Sequence, residues 1–275
     1  MSRVHDRSRV NLARAPLHRG LQPGDRVGIE FADVDREPEQ VVKYAAPGSC
    51  RPRGGNLAVN FSLAAWGAMY ERAVPMAIGR PFQQLADVSG RTELDIIAET
   101  LKLHEVEPTD EAIGKLANAL IDSYEAGRDE FASRARVLPG AREALEALEV
   151  EPTVHQGVLT GNLRAVARIK LVALGLEQFL DLETSSYGDD HADRAELVAI
   201  ARERAAQQLD TQFGPDDTVL IGDTPRDVTA ALAAGVQVIA VASGKSSVEE
   251  LQAAGARKVL ADLTNTTELL RLIRA

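Results

Sequence analysis

The feature that most limits what this chain can fold into is the alternation that follows the breaker "VLPG" at 137–140. Helix "AREALEAL" leads to strand "VHQGVLT", then a helix over 163–174, a short apolar run near 179–182 and a helix over 192–208. Strand "TVLIG", a helix over 225–234, strand "VQVIAVA", a helix over 247–254, a short strand "KVL" and a last helix follow. Strands and helices of these lengths in alternation predict βαβ units. The expected fold is α/β, a doubly wound parallel sheet with helices on both faces.

Ahead of this core the pattern over 62–134 is helical. "TELDIIAETLKLH" sets Leu94, Ile97 and Leu101 on one face behind Thr92 as cap, and "DEAIGKLANALIDSY" repeats the pattern with Ile113, Leu116, Leu120 and Tyr124. A small all-helical subdomain is expected there, inserted before a core over 135–275. Residues 1–61 form an atypical N-terminal segment. The first 60 residues hold ten Lys and Arg against seven Asp and Glu, whereas the remainder holds 21 against 34. Only "RVGIEFADV" looks regular in that segment, with Val27, Ile29 and Phe31 alternating as in a half-buried strand, and "YAAPGSCRPRGG" reads as a loop.

A net charge of -10 argues against a nucleic-acid surface, which needs lysine and arginine in excess on one face. The single cysteine, Cys50, permits no internal disulfide and suits a reducing interior. The uncharged stretch from Gly54 to Tyr70 is interrupted by Asn56, Asn60 and Ser62 and falls short of a membrane span, and Met1 to Arg19 lacks the apolar core of a secretory signal. A cytoplasmic protein with no nucleic-acid or membrane partner is expected.

In a doubly wound sheet, ligands sit beyond the carboxyl ends of the strands. After "TVLIG" come Asp223 and Asp227, hard oxygen donors that suit Mg²⁺, although Asp227 could instead only complement a helix dipole. After "VHQGVLT" comes Thr160-Gly161-Asn162 at a helix start. This is either a phosphate cradle or an ordinary cap. Arg194, at the start of the helix after "YGDDHAD", opposes the helix dipole, and is either placed there for function or a solvated surface arginine. Lys170 is a second cation, but two turns into its helix, and Arg194 is preferred. His104, His155 and His191 show no metal spacing, and Trp66, Met69 and Tyr70 read as core.

Taken together, "LTGN", "YGDDHADR" and "VLIGDTPRDV", in that order after a helical insertion, resemble the haloacid dehalogenase superfamily of phosphohydrolases over residues 62–275. "GRTELDII" at 90–97 is similar to the cap motif of its phosphoglycolate-phosphatase-like members. The resemblance implies a Rossmann-like core with a helical cap, and Mg²⁺-dependent hydrolysis of a small phosphorylated metabolite through an aspartyl-phosphate. It implies Thr160 and Arg194 as catalytic, Gly161, Asn162 and Arg91 as substrate-binding, and Asp223 and Asp227 as metal ligands.

One motif departs from the family. Its members begin with an apolar strand ending in Asp-x-Asp, in which the first Asp attacks phosphorus and the second acts as acid and base. The expected place, near residues 45–60, reads "AAPGSCRPRGGNLAVN" and contains no acid. The pair Asp33 and Asp35 in "VGIEFADVDRE" has the right shape, with Glu37 where the family has Thr or Val. Three accounts are open: an N-terminal segment read in a shifted frame or from a misassigned start, a catalytically silent ligand-binding or regulatory protein, or Asp33 and Asp35 acting across a longer loop. The leading expectation is the phosphatase.

Overall fold

The computed structural model describes residues 25–27, 41–46, 59–60, 63–88, 91–243 and 246–274. Cys50, Asp33, Asp35 and most of the strand and loop expected over 27–55 lie outside these residues. Strands β1 (Asp25–Val27), β2 (Val41–Ala46), β5 (Val154–Val158), β6 (Thr218–Gly222), β7 (Gln237–Val241) and β8 (Val259–Leu260) form one sheet, and β3 (Val59–Asn60) pairs with β4 (Arg136–Val137) in a second, two-stranded ladder. β6, β7 and β8 are parallel. β2 lies between β5 and β6 and is antiparallel to both, with Val41 opposite Val158 and Lys43 opposite Val219. β1 is antiparallel to β2 and therefore runs the same way as β5 and β6.

The side chains of the central strands divide by parity, as the period of two requires. Val219, Ile221, Ile239 and Val241 enter one apolar cluster, whereas Leu220, Val238 and Ala240 enter the other. Helices α5 (Ala141–Glu149), α6 (Arg164–Leu174) and α10 (Thr266–Arg274) cover the first face, and α7 (Arg194–Leu209), α8 (Pro225–Ala233) and α9 (Val248–Ala253) serve the second. Every residue of β6 is buried, which accounts for its unbroken apolar run. Gly140 begins α5 in the left-handed region at φ 81°, and a Cβ there would lie 2.1 Å from the Leu263 backbone.

Four helices, α1 (Leu63–Ile78), α2 (Glu93–Leu103), α3 (Asp110–Ala126) and α4 (Arg128–Arg134), form the cap. Thr109 caps α3 by accepting from the Ala112 N–H, whereas Thr92, at the corresponding place before α2, makes no such bond. Of the apolar faces expected here, Ile97, Leu101, Leu116, Leu120 and Tyr124 are buried. These residues share one apolar cluster with Val166, Ile169 and Leu171 of α6, so the cap has no core separate from that face of the sheet. The ladder of β3 and β4 joins the strands immediately before and after the four helices.

Two local expectations are corrected. Tyr44, Ala45 and Ala46, expected in a loop, complete β2. The apolar run near 179–182 makes no strand: Glu177–Phe179 is a 3₁₀ turn, and Asp181 Oδ1 accepts from the N–H groups of Glu183 and Thr184. That side chain supplies the backbone with partners a ladder would otherwise provide. Only a single parallel bridge, Leu159 to Ser186, continues the sheet past β5 among the described residues.

Candidate active site

The carboxyl ends of β5 and β6 deliver the two halves of the site. Past β5, Thr160 and Asn162 are buried. Neither side chain caps α6. Its first N–H, that of Arg164, donates instead to Asp189 Oδ1 at 3.0 Å. Asn162 turns back on the loop: its backbone N–H and its Nδ2 both donate to Thr160 Oγ1, at 3.0 and 2.7 Å. The Thr160 N–H is taken by the Ser186 carbonyl. Among the described residues no hydrogen bond engages the Gly161 N–H.

Glycine is required in this turn and across from it. A Cβ on Gly161 would lie 2.9 Å from the Arg91 carbonyl oxygen, and one on Gly188 would lie 1.8 Å from the Gly161 carbonyl oxygen. The first contact is with the cap, whose Glu93 N–H donates to the Gly161 carbonyl at 2.7 Å. The cap therefore hangs directly on the turn that follows β5.

Past β6, Thr224, Pro225 and Asp227 start α8 by a reciprocal arrangement. Thr224 Oγ1 accepts from the Asp227 N–H at 3.1 Å, and Asp227 Oδ2 accepts from the Thr224 N–H at 3.0 Å. Pro225 costs nothing at the first helical position, where its missing N–H would have no partner. Asp227 lies against the strand end because Gly222 lacks a side chain: a Cβ there would be 2.3 Å from that of Asp227.

Arg194 joins the two halves. It is the first residue of α7 and is capped by Asp193, yet its side chain is 7% exposed. Its Nη1 donates to Asp227 Oδ1 at 2.9 Å, and its Nη2 is 3.2 Å from where a Gly161 Cβ would stand. Asp227 thus both caps its helix and pairs with a buried guanidinium. Arg91 approaches with its backbone, while its side chain pairs with Asp95 at 3.1 Å on the cap.

Lys170, set aside as lying too far along α6, is buried, and its Nζ donates to Asn162 Oδ1 at 2.6 Å. Helical side chains lean toward the amino end of their helix, which lets the long stem reach back to the turn. Beside it, Tyr70 donates to Glu93 Oε1 at 2.7 Å, and burial pushes the Glu93 carboxyl up to about 7 against the charge of Lys170 and the Tyr70 hydroxyl. His104 is a core residue bonded to the Thr100 carbonyl, and His155 bonds Thr184 Oγ1.

The donor set fits Mg²⁺. Asp223 and Asp227 are both fully buried past the end of β6, and Gly222 leaves the room that Asp227 fills. Mg²⁺ is commonly held by one or two carboxylates, with water and substrate phosphate completing its shell. No group of three or more His, Cys, Asp or Glu side chains suited to a metal occurs among the described residues.

The family description HAD-hydrolase-like matches residues 196–266, the stretch that includes Asp223 and Asp227. A search of curated proteins finds no match. Among solved structures, a hydrolase from Pseudomonas syringae is 21% identical, with 91% of this chain and 100% of that one covered at a TM-score of 0.57. A HAD hydrolase of family IA, variant 3, from Entamoeba histolytica is 17% identical, with coverage of 90% and 100% and a TM-score of 0.59. A predicted phosphoglycolate phosphatase from Haemophilus somnus is 17% identical, with coverage of 88% and 96% and a TM-score of 0.50. The fold is that of the haloacid dehalogenase-like hydrolases, a Rossmann-like α/β core with a helical cap, and the family match takes in the third of the three motifs behind the resemblance. No helix among the described residues is long and apolar enough to cross a membrane.

Proposed function

We propose that this chain is a cytoplasmic phosphatase that hydrolyses a small-molecule phosphomonoester with Mg²⁺ through an aspartyl-phosphate, its core over 135–275 working beneath a cap over 62–134. The observation that carries this reading is the placement of Arg194, which donates to Asp227 after β6 while its Nη2 lies 3.2 Å from where a Cβ on Gly161 would stand in the turn after β5.

Thr160 and Gly161 supply an O–H and an N–H to the phosphoryl oxygens, and Arg194 offsets the charge that builds on them. Asp223 and Asp227 would hold Mg²⁺, which when bound neutralises phosphoryl charge and aligns the attacking group. Arg91, released from Asp95, contacts the rest of the substrate. The cap excludes bulk water from the reacting centre.

The nucleophile is drawn from Asp33 and Asp35, which lie outside the described residues. β1 ends at Val27 running the same way as β5 and β6, and β2 starts at Val41 beside Val158. Both ends of the connection between them therefore face the end of the sheet where Thr160 stands. An Asp33 oxygen attacks phosphorus, the ester P–O bond breaks, and the leaving alkoxide takes a proton from Asp35. Asp35 then takes a proton from water, whose oxygen attacks phosphorus and expels the Asp33 carboxylate, releasing inorganic phosphate.

One observation favours the catalytically silent alternative: β2, "VVKYAA", holds the place between β5 and β6 and contains no carboxylate. Turnover of p-nitrophenyl phosphate and phosphoglycolate by Asp33→Asn and Asp35→Asn separates the two. The phosphatase reading expects wild-type turnover that falls by about a thousandfold or more in Asp33→Asn, the scale of a lost nucleophile. Equal rates in both variants and the wild type would remove these residues from the mechanism.

A further inference from the structure

We propose that Lys170 is a positioning residue of this site, which acts through Asn162 to aim the Thr160 hydroxyl proton at an incoming phosphoryl oxygen. The inference rests on the reading of Thr160–Asn162 as a phosphate cradle, and assigns that cradle a support from deep in α6.

An ammonium can only donate, so the Asn162 side-chain oxygen must be the atom that faces Lys170 Nζ, 2.6 Å away. The amide orientation is thereby fixed, and Nδ2 is turned onto Thr160 Oγ1 at 2.7 Å. Thr160 Oγ1 also accepts the Asn162 backbone N–H at 3.0 Å. With both lone pairs of the hydroxyl filled, its one proton has to be given to some third group. Thr160, Asn162 and Lys170 are all buried, away from bulk water.

The cap closes the far side of the same ammonium. Its Nζ lies 5.3 Å from the centre of the Tyr124 ring on α3, and its charge acts on Glu93 of α2, which accepts from Tyr70 of α1. The Glu93 N–H bonds Gly161 in the cradle itself. Two cap helices thus bear on Lys170 directly, and α1 supports them through Glu93.

Two variants of the full chain test this, with inorganic phosphate in the presence of Mg²⁺ as the probe, affinity read by calorimetry and stability by thermal melting. Lys170→Met removes the anchor and leaves a buried amide oxygen unpaired, so both stability and phosphate affinity should fall, the latter about tenfold or more. Asn162→Asp keeps the shape and gives Lys170 a carboxylate, so stability should hold or rise. Its side chain can no longer donate to Thr160 and instead accepts the hydroxyl proton, so affinity should still fall about tenfold or more. Loss of affinity in Asn162→Asp without loss of stability supports the proposal even where Lys170→Met does not fold. Wild-type affinity in a folded Lys170→Met, or in Asn162→Asp, overturns it and leaves the cradle reading standing. No phosphate binding by the wild type overturns the cradle reading and the proposal with it.

Discussion

At the scale of single residues, the site is held by buried charge, and removing one partner should cost more than the pair contributes. Arg194→Met would leave Asp227 in the interior without its guanidinium, a change that typically costs about 3 kcal/mol or more. Urea denaturation should show that loss, and a change within about 0.5 kcal/mol would mean that Asp227 has another sufficient partner. Glu93 carries a pH signature. Its folded pKa of about 7 exceeds the ordinary 4.5, so its contribution is whole below pH 4.5 and is lost as pH rises through 7. Relative to the non-titrating Glu93→Gln, wild-type stability should therefore decline by on the order of 3 kcal/mol between those pH values. A stability difference that stays flat across that window contradicts the raised pKa. Thr160, Arg194, Asp223 and Asp227 could be singled out from the sequence because each follows a strand or starts a helix. Lys170 could not, since eight residues separate it from Asn162 and only the lean of a helical side chain brings them together.

At the scale of elements, local chemistry sets the helix starts that carry the site. Thr224→Ala removes one half of the reciprocal cap of α8 and should cost about 1 kcal/mol, with Mg²⁺-dependent turnover falling further because Asp227 loses a fixed partner. Full activity at unchanged stability would separate that cap from the site. Strands β6 and β7 and helices α5 to α9 were legible because apolar period and breakers agree within each of them. β2 was not, because "VVKYAA" runs directly into breaker residues and its pairing with β5 and β6 is non-local. The bond from the Arg164 N–H at the start of α6 to Asp189, 25 residues away, was equally invisible.

At the scale of the whole molecule, cap and core share one apolar cluster, and Glu93 ties the cap backbone to Gly161. The single tryptophan, Trp66, lies in α1 of the cap, whereas the sheet dominates the strand signal in the far ultraviolet. Fluorescence and circular dichroism should report one coincident urea transition, while two separated midpoints would show a cap that unfolds alone. The fold class was open to sequence reading because alternation dictates it. The nucleophile was not, because the strand that should carry it lacks acids, and the question moves to chemistry. The most direct test is Mg²⁺-dependent phosphate release from phosphoglycolate and p-nitrophenyl phosphate by the full chain, with Asp223→Asn alongside. The account predicts turnover in the wild type that needs Mg²⁺ and disappears in the variant. No release by a wild-type chain that still binds Mg²⁺ would contradict the phosphatase and leave a ligand-binding protein on a phosphohydrolase fold.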